Sequence, residues 1–215
     1  MKSRMKRRIV LAVVLVMLAS TIAGCGGMKP DEAKAYVQAV LDAGYKGEVE
    51  EYVKITDSSK EDAEKLSSDS IDTALSLSGI EQAGITDELL EKYRELFKSI
   101  LAKVHYEVGE AKETEEGFEV TVSAEPMQLY DGIEDALIEE LTKRVKDSEE
   151  QLSEDDIQKL GFEVMYDMLA EKMSEPTYGE AKEVIVHITK SSDNVWSVSE
   201  ADLKTLDEAL YDVAG

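Results

Sequence analysis

An α+β domain built on one four-stranded antiparallel sheet is the architecture this sequence predicts, and three observations predict it. Apolar residues recur at helical spacing over most of the chain, two stretches near 104–122 and 184–198 switch to a two-residue alternation, and a short polar turn divides each stretch. A lone hairpin is marginal in water, so the two must combine and be covered by helices. The result is a sheet from two hairpins, packed by N-terminal helices, an inserted helix pair and a C-terminal helix.

In chain order, the first element is not part of that domain. Lys2, Arg4, Lys6, Arg7 and Arg8 precede the apolar run Ile9–Ala19, and Ile22-Ala23-Gly24 then lead to Cys25, the one cysteine of the chain. A basic start, an apolar run and small residues make a secretory signal, and the run is short of the roughly 20 residues that a spanning helix needs. Ile22-Ala23-Gly24-Cys25 resembles the lipobox of bacterial lipoproteins, in which a cysteine becomes the lipid-modified N-terminus. That resemblance implies residues 1–24 as a signal peptide that is removed, 25–29 as the lipidated cysteine with a short linker, and 30–215 as a single extracytoplasmic domain. Each buried methylene of an acyl chain contributes ~0.8 kcal/mol, so two chains hold where one binds reversibly. With one cysteine, no disulfide framework is possible within the chain, and the fold must rest on its apolar core.

Pro30 suits the first turn of a helix that carries Ala33, Tyr36, Val37, Val40 and Leu41, with Gly44 as its expected stop. Gly47–Ile55 reads as a short second helix with Val49, Tyr52 and Val53 inward. Ser59, with Asp62 three residues on, starts a third that carries Ala63, Leu66, Ile71, Ala74 and Leu75 and ends at Gly79 and Gly84. Thr86 caps the clearest helix, whose stripe is Leu89, Leu90, Tyr93, Leu96, Phe97, Ile100 and Leu101, with Asp87 and Glu88 placed favourably in its first turn.

The period then becomes two. Val104, Tyr106 and Val108 alternate with His105 and Glu107; Glu113–Gly117 turns; Phe118, Val120 and Val122 alternate with Glu119, Thr121 and Ser123. After Pro126 come two helices, near 132–146 with Ile133, Leu137, Leu141 and Val145 inward, and near 153–173 with Ile157, Leu160, Val164, Met168 and Leu169 inward. The second hairpin sets Val184, Val186 and Ile188 against Glu183, Ile185, His187 and Thr189, turns at Ser191–Asn194 and returns over Val195–Val198. Ser199 caps the last helix, with Asp202 at its third position and Leu203, Leu206 and Leu210 inside.

Charge narrows the function. The chain has 24 Lys+Arg against 47 Asp+Glu, and without the five basic residues ahead of Cys25 the balance over 25–215 is 19 against 47, a net of −28. Such a surface repels nucleic acid, which is excluded as a partner, and keeps a tethered domain soluble.

The stretch Tyr36–Gly47, continuing through Glu51–Thr56 and Ser59–Ala63, resembles the opening of a family of uncharacterised, clostridial-type lipoproteins of Gram-positive bacteria with a domain of unknown function. The resemblance implies a cystatin-like or nuclear-transport-factor-like α+β roll, in which a curved sheet wraps helices and can leave a pocket. It carries no catalytic residue.

Motifs for chemistry are sparse. His105 and His187 alternate with the apolar face of their strands and lack His-x-x-x-His or Glu-x-x-His spacing, so they read as ordinary strand side chains. Glu113–Glu116 and Glu154–Asp156 lack the calcium-loop pattern and read as solvated turns and helix starts. Met165, Met168 and Met173 with Phe162 and Tyr166 read as core, as do Tyr36, Tyr45, Tyr52 and Trp196 against the alternative of a stacking surface. No cofactor, metal or catalytic site is expected. The expected role is a non-enzymatic binding or interaction module at the cell envelope, held to the membrane by Cys25, with a protein, peptide or envelope ligand as partner. A small-molecule or peptide binder using the roll cavity, and a hydrolase or isomerase of the same fold, are the alternatives.

Overall fold

The computed structural model describes residues 22–23, 27–148, 151–191 and 195–211. Pro30 opens α1 (Pro30–Leu41), and the Glu32 carboxylate accepts the Lys29 N–H at 2.8 Å. Ala33, Tyr36, Val37, Val40 and Leu41 are buried as their spacing predicts. The stop expected at Gly44 lies elsewhere: the backbone widens into a π-helical turn, Asp42–Lys46, and Gly47 at φ +69° ends it. That wide turn buries Ala43, Gly44 and Tyr45. Because Gly47 belongs to this stop, α2 (Glu50–Thr56) starts later than expected.

Helix α3 (Lys60–Ser78) begins at Ser59, whose Oγ accepts the Asp62 N–H at 3.0 Å, and ends at Gly79 with φ +77°. The side chain of Leu66 lies outside the described residues. After a 3-10 turn at Glu81–Ala83, Thr86 caps α4 (Asp87–Ala102) by accepting the Leu89 N–H at 3.2 Å. Tyr93, Leu96, Phe97, Ile100 and Leu101 are buried along one stripe. Each such side chain contributes roughly 1.5–3 kcal/mol, which is why this helix needs no other signal to place it.

Strands β2 (His105–Glu113) and β3 (Gly117–Glu125) form the first hairpin, β4 (Lys182–Lys190) and β5 (Val195–Val198) the second, and Ile22–Ala23 forms a two-residue strand β1. The sheet order is β1-β5-β4-β3-β2, every pair antiparallel, so the expected four strands are joined by a fifth at the β5 edge. Register pairs Phe118 with Ile188, Val120 with Val186 and Val122 with Val184, which puts all six on the covered face. A bulge between Val108 and Ala111 lets the apolar phase of β2 resume at Ala111. Gly117 turns the first hairpin at φ +153°, and a Cβ there would lie 2.0 Å from the Ile188 carbonyl oxygen. Residues 192–194 of the second turn, expected at Ser191–Asn194, lie outside the described residues.

The helix pair is α5 (Ile133–Asp147) and α6 (Glu154–Ser174), and α7 (Glu200–Leu210) closes the chain. Helix α1 covers β2 and β3 while α7 covers β3 and β4. The pair packs farther out: α6 lies on α4, with the Tyr93 ring edge-on to Phe162 and Tyr166, and α5 lies on α6. That position corrects one expectation. Of the inward set on α5 only Ile133 is buried; Leu137, Leu141 and Val145 are half-buried, because α5 packs mainly on α6 and has no sheet beneath it. The opposite face of the sheet stays wet.

Candidate functional site

The segment Ile22-Ala23-Gly24-Cys25 enters the fold through its first two residues. Ile22 stands opposite Trp196 and Ala23 opposite Val195, with α2 alongside the short strand they form. Gly24 and Cys25 lie outside the described residues. Among the described residues, no helix is long and apolar enough to cross a membrane.

The wet face of the sheet carries both histidines, far apart. His187 is fixed by Asp202 at the start of α7, whose Oδ2 accepts the His187 backbone N–H at 2.9 Å and lies 2.7 Å from its Nδ1; its Nε2 is 3.8 Å from Glu119 Oε1. His105 pairs across to Glu125, with Nδ1 3.0 Å from Oε2, and stacks on Tyr178 at 3.8 Å between ring centroids. Glu119 and Glu125 are six residues apart on one strand, a separation of about 20 Å. The histidines therefore do not converge, and among the described residues no group of three His, Cys, Asp or Glu is arranged to hold a metal ion. Each histidine instead ties a strand to a neighbour, His187 to α7 and His105 to the Tyr178 segment, whose hydroxyl donates to the Lys103 carbonyl at 2.6 Å.

The carboxylate runs fall where their residue types suggest. Glu115 and Glu116 are exposed in the hairpin bend, and Asp156 closes a capping box on Ser153, accepting its N–H at 3.0 Å and donating its own to Ser153 Oγ at 3.2 Å. Tyr36, Tyr45 and Tyr52 are buried, and Trp196 is 7% exposed and packed beside Phe118, so none offers a stacking surface. Met173 is buried, and Met165 and Met168 pack half-buried against the core.

Two polar contacts, one buried and one half-buried, have no counterpart in the motif reading. Tyr45 Oη donates to Asp207 Oδ1 at 2.6 Å in a buried contact between the π-helical turn and α7. Burial, and then the Asp207 charge, push the Tyr45 hydroxyl well above its ordinary range. Beside it, Asp42 accepts from Lys46 Nζ at 2.7 Å, Tyr106 Oη at 2.6 Å and Gln38 Nε2 at 2.7 Å. Burial acts to raise the Asp42 carboxyl, but these three donors outweigh it and hold the group below the usual carboxylate range. One of these residues was legible. Leu203, Leu206, Asp207 and Leu210 share the inner stripe of α7, so Asp207 is a charge on an apolar face, which calls for a buried partner.

Two of the clefts among the described residues lie outside the sheet's core. The larger, about 310 Å³ between α4, α5 and α6, is lined by Lys92, Arg144, Glu88, Glu163, Tyr166 and Asp167. Its cations are engaged: Lys92 with Glu88 at 2.8 Å, and Arg144 with Glu140 at 3.0 Å and Asp167 at 3.1 Å. The second, about 210 Å³, lies between 127–129 and Lys172–Thr177.

No protein-family model and no curated protein matches the chain. Among solved structures, the fold is similar to that of a candidate lipoprotein, ycdA, from Bacillus subtilis, with a TM-score of 0.56 and 20% identity over 85% of this chain. The chain spans 56% of that protein's length. The likeness is one of fold.

Proposed function

We propose that this chain is an extracytoplasmic lipoprotein, anchored through Cys25 and acting as a non-enzymatic binding module at the cell envelope. The observation that carries the reading is the order of basic residues, apolar run and Ile22-Ala23-Gly24-Cys25 directly ahead of an acidic domain. The sole cysteine stands where a lipobox needs its thiol. The fold likeness to a candidate lipoprotein of a Gram-positive bacterium supports the same reading, as does the resemblance of the opening helices to Gram-positive lipoproteins.

The two clefts described above are consistent with binding through the surface. At about 310 and 210 Å³ they stand at or under the lower end of small-molecule sites, roughly 300–1,000 Å³. The larger one is lined by charges that already pair with each other. The histidine–carboxylate pairs hold elements together.

The test is metabolic labelling with a fatty-acid analogue, on the wild type and on Cys25→Ala. Label in the wild type, with its loss in the variant and retention of residues 1–24 there, is the expected result. An unlabelled wild type, or a variant labelled as strongly as the wild type, contradicts the anchor.

A further inference from the structure

Strand β5 is four residues long and lies between two different neighbours. On its inner side Ser191 N–H donates to the Val195 carbonyl at 2.8 Å, and Ser199 N–H donates to the His187 carbonyl at 2.9 Å. Backbone groups alternate sides along a strand, so Val195, Ser197 and Ser199 turn theirs toward β4, while Trp196 and Val198 turn theirs to the outer edge. The outer edge is covered by Ile22 and Ala23, which pair with Trp196 and Val195 beside α2. These two residues belong to the lipobox-like motif and end two positions before Cys25.

We infer that cleavage before Cys25 removes β1 and opens the outer edge of β5 as a site for strand addition by an extended peptide. This rests on the lipoprotein reading above. The occupant is a peptide of stated chemistry, because its seat is defined by what sits there in the precursor. It places an aliphatic residue opposite Trp196 and a small one opposite Val195, as Ile22 and Ala23 do. It carries basic flanks, since the domain it approaches has a net charge of −28 over residues 25–215. A second copy of the chain brings the same negative charge and is disfavoured as the occupant. An edge strand presents a row of backbone donors and acceptors, so affinity comes from main-chain hydrogen bonds and selectivity from the two side-chain positions.

The experiment uses the full-length chain, extracted from membranes in detergent as wild type and as the unprocessed Cys25→Ala precursor. The probe is the synthetic peptide Lys-Lys-Ala-Ser-Thr-Ile-Ala-Gly, its last six residues copying residues 19–24. Hydrogen exchange is expected to show slowed amides at Trp196 and Val198 when peptide is added to the wild type. Binding is expected to be at least tenfold weaker to the precursor, whose own strand fills the edge, and at least tenfold weaker for a peptide N-methylated at its Ile. Protection of β3 and β4 in the same experiment reports that both proteins are folded. Equal binding to both forms, protection elsewhere, or indifference to N-methylation overturns the inference. So does a doubled sedimentation mass with a protected edge and no peptide, which assigns the edge to a second copy. Intact mass is read in parallel: a wild-type chain not beginning at Cys25 overturns the lipoprotein reading itself, a result distinct from a processed chain that fails to bind.

Discussion

Tyr45 and Asp207 lie 162 residues apart and share one buried hydrogen bond of 2.6 Å, so that single contact joins the start of the domain to its end. Replacing Tyr45 by Phe keeps the ring and removes the donor to a carboxylate that is 6% exposed. The expected loss is about 1.5–3 kcal/mol in urea unfolding, the range for a hydrogen bond to a charged group, and an unchanged midpoint would show that the contact is not formed. Asp42 gives a pH signature. Its folded pKa is held below its unfolded value by Lys46, Tyr106 and Gln38, so its stabilisation is fully present above the unfolded value, about 3.9, and is lost as pH falls through the lower folded value. Asp42→Asn is therefore expected to flatten the part of the stability profile below about pH 4, relative to wild type. The two residues differ in legibility. Asp207 announces itself as a charge on the inner stripe of α7, whereas the partners of Asp42 come from α1, the π-helical turn and β2 and share no local pattern.

Helix caps and turns were the most readable elements because their chemistry is local. Ser59, Thr86, Ser153 and Ser199 each accept the N–H three residues on, as the residue types indicate. Thr86→Ala is expected to cost about 1 kcal/mol, within a range of about 0.5–2, measured by thermal or urea unfolding. Gly117→Ala is expected to cost more, since a Cβ would meet the Ile188 carbonyl at 2.0 Å in a backbone region that costs other residues roughly 1–3 kcal/mol before any clash. Equal stability of the two variants would argue against the register of β3 and β4. Where reading by element missed, long-range packing decided. The π-helical turn replaces a stop at Gly44 because Tyr45 is drawn into the core, and the α5 stripe is half-buried because one helix covers it. A repeat of apolar residues reports that a face is covered, and it is silent on how deeply.

For the molecule as a whole, hydropathy and alternation were enough to give the two-hairpin sheet and its covering helices, because burial on one face enforces both periods. The fifth strand was illegible: Ile22 and Ala23 are two residues in a segment whose apolar character reads as a signal. Function is less written in the fold, since the histidines and carboxylates serve as ties between elements. Net charge makes a global prediction. With −28 on residues 25–215, self-repulsion opposes the compact state, so raising NaCl from low ionic strength to about 0.5 M, where the Debye length falls to a few Å, is expected to raise the melting temperature; a fall would mean that surface ion pairs outweigh the repulsion. The central claim is the anchor, and intact-mass analysis of the protein extracted from its own membranes addresses it most directly. The account predicts a chain that begins at Cys25 and carries the added mass of acyl chains. A chain that retains residues 1–24, or that begins elsewhere with a free thiol at Cys25, would contradict it.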